Sequence, residues 1–248
     1  MSKSICTTFP LISMATSKAS PVAKRHGKKY AAKAELVQRG KSYSAAEAAA
    51  LLPQISTAKF DATVEAHIRI NTDTTQADQL VRTTVALPHG TGKTLRIAAF
   101  VPDDQTGDAK KAGADRVGND DLIKEIEAGK IDFDVAVAMP DVMKGLGKIA
   151  KILGQKGMMP NPKAGTVTTD IAKTIAELKK GRIECKMDKQ GIIHVPFGKV
   201  SFGAQKLQEN LETLLQAIKE AQPSGIKGIY IGSIYVAPAM GPSVKVSP

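Results

Sequence analysis

The 248-residue chain contains no tryptophan, and phenylalanine and tyrosine together bring its aromatic content to only 4%. A protein that stacks many bases on aromatic platforms needs more rings than that. Any nucleic acid bound here is therefore read mainly through backbone and shape. Cysteine is nearly absent too: Cys6 and Cys185 are too few and too far apart for a CxxC pair or a zinc set, and their scarcity fits a reduced, cytosolic setting. The histidines His26, His67, His89 and His194 share no ligand spacing. No apolar run approaches the roughly 18 residues of a membrane span, so no membrane partner is expected. The first 34 residues lack any acidic side chain, a weak transit-peptide trait. Arginine is scarce there, and the apolar stretch from Ile5 to Ile12 is broken by Thr7, Thr8 and Pro10. Residues 1–24 therefore read as a flexible basic tail, with Met14 an alternative start.

What is abundant is positive charge, a net +11, unevenly spread. Residues 1–59 hold ten basic against two acidic side chains, and residues 181–248 hold eight against five. Residues 60–89 are slightly acidic, and residues 90–180 are close to balance, with fifteen against thirteen. A polyanion would be drawn to the two ends of the chain rather than to its middle.

Hydrophobic periodicity divides the chain in the same places. Lys28 to Val37 reads as a short helix closed by Gly40. Ser44-Ala45-Ala46-Glu47 is a capping box opening a second helix that Pro53 should stop. Val64, Ala66, Ile68 and Ile70 alternate with polar residues, the pattern of a half-buried strand. Leu80 to Leu87 is strand-like, and Pro88-His89-Gly90-Thr91-Gly92 breaks the chain. Next come continuous apolar runs at Leu95–Val101 and Phe133–Met139. Helical segments at Asp108–Ala114, Leu122–Ala128 and Asp141–Leu153 alternate with them, which implies parallel βαβ units. A further helix capped by Thr169 or Asp170 ends at Gly181. Beyond it, Ile183–Met187 and Ile192–Val195 flank Asp188-Lys189-Gln190-Gly191 as a hairpin. Leu207, Leu211, Leu214, Leu215 and Ile218 mark an amphipathic helix, and Ile229–Val236 is the last strand before the loop Ala237–Pro242. The simplest architecture is α/β in two domains. Residues 25–89 and 181–248 form one discontinuous α+β body, and residues 90–180 an inserted α/β body reached by two chain crossings that act as a hinge.

Several motifs imitate catalytic chemistry and fail on context. Gly92-Lys93-Thr94 lacks the upstream glycine of a phosphate loop, because Leu87 stands there. Gly145-x-Gly147-x-x-Ala150 falls inside a predicted helix rather than directly after a strand, unlike a dinucleotide fingerprint. No nucleophile elbow or favoured carboxylate pair is present. No enzyme, cofactor or metal is expected. The competing reading, a nucleotide-dependent α/β enzyme, would bind ATP or NAD saturably. A third, a general nucleic-acid binder, would show no preference for one structured RNA.

The loop Gly157-Met158-Met159-Pro160-Asn161-Pro162-Lys163-Ala164-Gly165-Thr166-Val167 is the most distinctive stretch. It resembles the signature of the bacterial-type L-one family of ribosomal large-subunit stalk proteins. The resemblance extends in order through Thr57-Ala58-Lys59-Phe60, Leu87 to Gly92, Gly113-Ala114-Asp115, Phe133-Asp134, Asp188-Lys189, Gly191 to His194 and Met240-Gly241-Pro242-Ser243, covering roughly Arg25 to Val246. It implies a discontinuous RNA-binding domain of split β-α-β type with an inserted three-layer Rossmann-like domain. By the same resemblance the RNA contact residues are Glu47, Thr57, Lys59, Phe60, Asp188, Met240, Gly241 and Ser243. Each has a plainer role in competition: Glu47 in its capping box, Phe60 as a core residue, Asp188 in a turn. Ala239 departs from the family, which usually has threonine there. The implied function is binding of large-subunit (23S-type) rRNA at the mobile stalk, as a monomer within the cytoplasmic ribosome, an organellar ribosome being the weaker alternative. Release of deacylated exit-site tRNA and repression through the protein's own operon mRNA follow from the same resemblance.

Overall fold

A computed structural model describes residues 27–247 apart from 39, 75, 77, 78, 103, 104 and 224–227. The tail 1–24 and the alternative start lie outside the described residues. Helix α1 (Lys28–Ala34) precedes α2 (Ala45–Ile55), whose entry is the expected capping box. The Glu47 N–H donates to Ser44 Oγ at 3.3 Å, and the Ser44 N–H donates to Glu47 Oε2 at 3.1 Å. Pro53 does not stop α2, as the sequence pattern suggests, but sits inside its last turn. Only one intrahelical bond is lost so near the end, and full burial of Leu52 and Ile55 holds the turn.

Strand β1 (Thr63–Ile70) alternates buried and outward residues as its sequence does and becomes the centre of a sheet. On one side lies β7 (Ile192–Lys199). On the other lie β8 (Ile231–Pro238) and then β9 (Val244–Val246), all antiparallel. The inner face of Val64, Ala66, Ile68, Ile193, Val195, Phe197, Ile234 and Val236 packs on α2 and on α8 (Ala204–Glu220). Helix α8 contributes Leu207, Leu211, Leu214, Leu215 and Ile218, all buried. Each such side chain stabilises the fold by about 1.5–3 kcal/mol on transfer arithmetic.

The Asp188–Gly191 segment turns as expected, with the Asp188 N–H donating to the Ile192 carbonyl at 2.9 Å. The two flanking strands nevertheless do not form a lasting hairpin. After one bridge, Met187 to Ile193, they part. β6 (Arg182–Lys186) pairs with β2 (Arg82–Ala86) in a separate two-stranded ribbon. β1 has claimed the free edge of β7, and its Ile70 N–H reaches the Gly191 carbonyl at 2.8 Å.

A second sheet is parallel, ordered β4 (Arg116–Gly118), β3 (Ile97–Phe100), β5 (Val135–Ala138). Helices α3 (Thr106–Lys111), α4 (Asp120–Glu127) and α7 (Ile171–Lys180) accompany it. The single helix expected at Asp141–Leu153 is broken. A 3-10 turn at Pro140–Val142 leads into α5 (Met143–Leu146), and α6 (Ala150–Gln155) resumes after Gly147. Gly145 and Gly147 add backbone freedom and little helix propensity. The bonds across the break, Gly147 N–H to Lys144 O and Lys148 N–H to Gly145 O, are long at 3.4 Å each. Strands β4 and β9 are three residues each, too short to show periodicity in sequence.

Buried apolar residues fall into two clusters. One is built from β1, β2, β6, β7, β8, β9, α2 and α8, the other from residues between Ile97 and Leu178. Where the chain passes between them, Gly90 and Gly181 stand against each other. A Cβ at Gly181 would lie 2.3 Å from Gly90 Cα, and its φ of +103° also requires glycine. Buried Asn210 of α8 pins this crossing: it donates to the Gly90 carbonyl at 3.0 Å and accepts from the His89 N–H at 3.2 Å.

Candidate nucleic-acid interface

The distinctive loop is explained by the fold. Asn161 Oδ1 accepts from the Lys163 N–H at 2.9 Å, and Thr166 Oγ1 accepts from the Asn161 N–H at 2.8 Å. Gly165 takes a left-handed φ of 65°, and Val167 bridges in parallel to Ala138 beside β5. A cleft of about 270 Å³ separates Met158, Met159 and Ala164 of the loop from Thr84, Arg182 and Glu184 of the ribbon. Arg182 donates to Glu177 Oε2 at 2.6 Å and to Thr84 Oγ1 at 3.2 Å, tying α7 to β2. The prolines, glycines and asparagine of this loop therefore shape a self-bonded turn.

The candidate contact residues gather elsewhere. The segment before β1 and the segment after β8 meet at one end of the four-stranded sheet, because those two strands are antiparallel neighbours. The Thr57 hydroxyl donates to the Met240 carbonyl at 2.7 Å, and the Ala239 N–H donates to the Thr63 carbonyl at 2.8 Å. Phe60 is not the first core residue of β1. It is 63% exposed, and Met240, the one described non-glycine residue with positive φ (61°), is 78% exposed. Gly241 is required at its position, since a Cβ there would meet Pro238 Cγ at 2.6 Å and the Ile55 carbonyl at 3.1 Å. Lys59 and Ser243 are also exposed. Two large apolar side chains held out in water beside a lysine form a surface suited to a sugar–phosphate contour.

The other two candidates are not part of that cluster. Glu47 lies at the opposite end of α2 from Ile55, about 12 Å away at the helical rise, and its carboxylate is engaged in the capping box. Asp188 lies past the far end of β1, next to Ile70 and Gly191. The length of that eight-residue strand, about 25 Å, separates it from Phe60.

Strand pairing adds residues that the linear sequence did not single out. His194, His67, Tyr235 and Lys245 stand directly opposite one another on β7, β1, β8 and β9, a row across the outer face of the sheet. The two imidazoles approach Nδ1 to Nδ1 at 2.8 Å. Burial, and secondarily the neighbouring His194, hold His67 below the usual imidazole range against the opposing pull of Glu65. Next to Ser243, a cleft of about 310 Å³ is lined by Tyr30, Lys41, Tyr235, Pro242 and Lys245. Asp61, beside Phe60, accepts from the Ser201 hydroxyl at 2.8 Å and faces Lys199 at 3.8 Å. Hydrogen bonding from Ser201, aided by Lys199, holds the Asp61 carboxyl below its ordinary range. No spacing rule could have found these neighbours, which depend on register between distant strands.

Among the described residues no set of three or more His, Cys, Asp or Glu side chains is placed to hold a metal ion. No described helix is long and apolar enough to cross a membrane. Lys93 of the phosphate-loop imitation pairs with Asp134 at 3.0 Å.

Fold and surface together define a mixed α/β protein that offers a loop-built contact patch. The model of the ribosomal protein L1p/L10e family matches residues 52–242, a span that includes Thr57, Lys59, Phe60, Asp188, Met240 and Gly241. A large ribosomal subunit protein uL1 of Chloroflexus aggregans is 53% identical over 225 residues, covering 90% of this chain and 95% of the relative. The protein of the same name from Thermosipho melanesiensis is 47% identical, covering 90% and 97%. The chain belongs to the ribosomal protein L1p/L10e family, and is a structural protein rather than an enzyme.

Proposed function

We propose that this protein is a constituent of the large ribosomal subunit, in the cytoplasmic ribosome, that grips the stalk region of large-subunit rRNA. The contact surface runs through Thr57, Lys59, Phe60, Met240, Gly241 and Ser243, and Glu47 and Asp188 would touch the RNA only at points separate from this patch. The observation that carries this reading is the Thr57–Met240 hydrogen bond. It joins the two ends of the chain into one patch and leaves Phe60 and Met240 exposed, an arrangement that has no packing purpose. The relatives' names place those proteins in the large subunit, which supports the same role here.

In this reading residues 25–89 with 181–248 form the RNA-holding domain, and residues 90–180 form an inserted Rossmann-like domain. The two apolar clusters support that division. The paired crossing at Gly90 and Gly181 lets the inserted domain bend while limiting twist. Its movement assists release of deacylated tRNA from the exit site, and the same patch represses translation when it meets a look-alike site on the protein's own operon mRNA. The protein acts as a monomer within the ribosome.

The test is competition at physiological salt between a labelled stalk rRNA fragment and random RNA duplex for the full chain. Strong preference for the stalk fragment is expected, and Lys163→Ala should leave it almost unchanged. Equal affinity for the two RNAs would refute the assignment.

A further inference from the structure

Sulfur is unevenly protected in this chain. Among the described methionines, Met139 and Met187 are buried, and Met143, Met158 and Met159 are half-buried against the second apolar cluster. The Thr72 hydroxyl also donates to the Met187 sulfur at 3.1 Å. Cys185, the described cysteine, is wholly buried, and burial pushes its thiol up to about 12, so it offers an oxidant little thiolate. Met240 stands apart at 78% exposure. The backbone imposes that outward position. Met240 takes a left-handed φ of 61°, a conformation that a non-glycine residue keeps only where its surroundings over-determine it. Three hydrogen bonds do so here. The Thr57 hydroxyl donates to the Met240 carbonyl at 2.7 Å, the Ala239 N–H to the Thr63 carbonyl at 2.8 Å, and the Gly241 N–H to the Pro238 carbonyl at 2.9 Å. The most exposed sulfur among the described residues therefore sits in the middle of the candidate contact patch.

We infer that Met240 is a reversible oxidation site that sets whether the Phe60–Met240 patch can hold RNA. This rests on the proposed reading for the identity of the RNA, not for the reaction. The oxidant is a peroxide. The sulfur lone pair attacks one peroxide oxygen, and the S–O bond forms as the O–O bond breaks. Sulfur loses two electrons, and the departing hydroxide takes the proton of the transferred oxygen and leaves as water. A dithiol, acting through a methionine sulfoxide reductase, reverses the step: the oxygen departs as water and the two thiols become a disulfide. Oxidation turns a flexible apolar side chain into a polar one. Its new oxygen is an acceptor facing a phosphate-rich surface that is itself mostly acceptor, so it sheds water on binding with little return. Bound RNA covers the same thioether, which confines the reaction to RNA-free protein.

The experiment treats the full chain and its Met240→Leu variant with hydrogen peroxide, alone and with stalk rRNA fragment prebound. Peptide mass spectrometry reads sulfoxide at each methionine, and fluorescence anisotropy reads RNA affinity before and after treatment. Met240 should oxidise before Met139, Met143, Met158, Met159 and Met187, and prebound RNA should slow its oxidation. Peroxide should weaken stalk-fragment binding by the wild type roughly tenfold, the scale of a polar atom buried without its partner, with thermal unfolding unchanged. A methionine sulfoxide reductase with dithiothreitol should restore the loss. The variant, whatever its starting affinity, should show no change on peroxide treatment. A shielded methionine oxidising first overturns the inference. So does an oxidised Met240 that leaves affinity intact, or an equal loss in Met240→Leu. Equal affinity of the untreated wild type for stalk fragment and random duplex, with the peroxide effect still confined to the wild type, would instead refute the proposed function and leave the oxidation site standing.

Discussion

Phe60 shows how one side chain divides between two roles. Its position ahead of an alternating strand suits a core residue, yet the ring is exposed beside Met240. A ring kept in water is available for stacking on a base or sugar. Phe60→Ala should weaken stalk-fragment binding by about 1–3 kcal/mol with little change in the urea midpoint, read by fluorescence anisotropy and denaturation in parallel. The reverse pattern would return Phe60 to the core. His67 supports a prediction with a sign. Its pKa is lowered in the folded state, chiefly by burial and then by His194, so the unfolded chain binds the extra proton more readily. The stability this contributes is present above the unfolded value near 6.5 and is lost as pH falls below it. Melting scans should therefore show a fall in Tm between about pH 7 and pH 5 that is smaller in His67→Gln. An equal fall in both would mean that the pair has no thermodynamic weight.

At the scale of elements, α8 does more than cover the sheet. Asn210 is wholly buried on its apolar side, and its amide holds the crossing strand at His89 and Gly90 and also donates to the Phe197 carbonyl at 2.8 Å. Replacing it by alanine leaves two carbonyls and one N–H without their partner, so Asn210→Ala should cost about 2–4 kcal/mol of unfolding free energy in urea titration. A loss below half of that would mean that water replaces the amide. Elements with a strong period were legible before folding: α2 from its capping box, β1 from strict alternation, α8 from its leucine row. Those misread had competing local cues. Pro53 suggested a stop that burial of Ile55 overrode, and Gly145 and Gly147 interrupted a helix that apolar spacing alone would have continued. The Asp188–Gly191 turn was correctly placed, but its strands parted because each found a better partner.

For the whole molecule, the prediction concerns the division of labour. Residues 1–89 joined to 181–248 should retain stalk-RNA affinity near that of the full chain, since the Thr57–Met240 patch lies wholly within them. Residues 90–180 alone should lack it. Gel-shift titration of both pieces decides the matter, and tight stalk binding by the central piece would reverse the assignment. Both crossings meet at Gly90 and Gly181.

Local chemistry settled much in advance. The alternation of strands and helices, the basic ends, the absence of catalytic constellations and the family resemblance were all carried by near neighbours along the chain, where periodicity and turn residues act. The candidate contact set was legible as a group of residue names, not as a surface. Only the antiparallel registry of β1 and β8 brought Thr57 to Met240, set Asp188 a strand's length away, and aligned His194, His67, Tyr235 and Lys245 in one row. Pairings between segments more than a hundred residues apart depend on which edges are free once the core has packed, and that competition is decided by the folded chain as a whole.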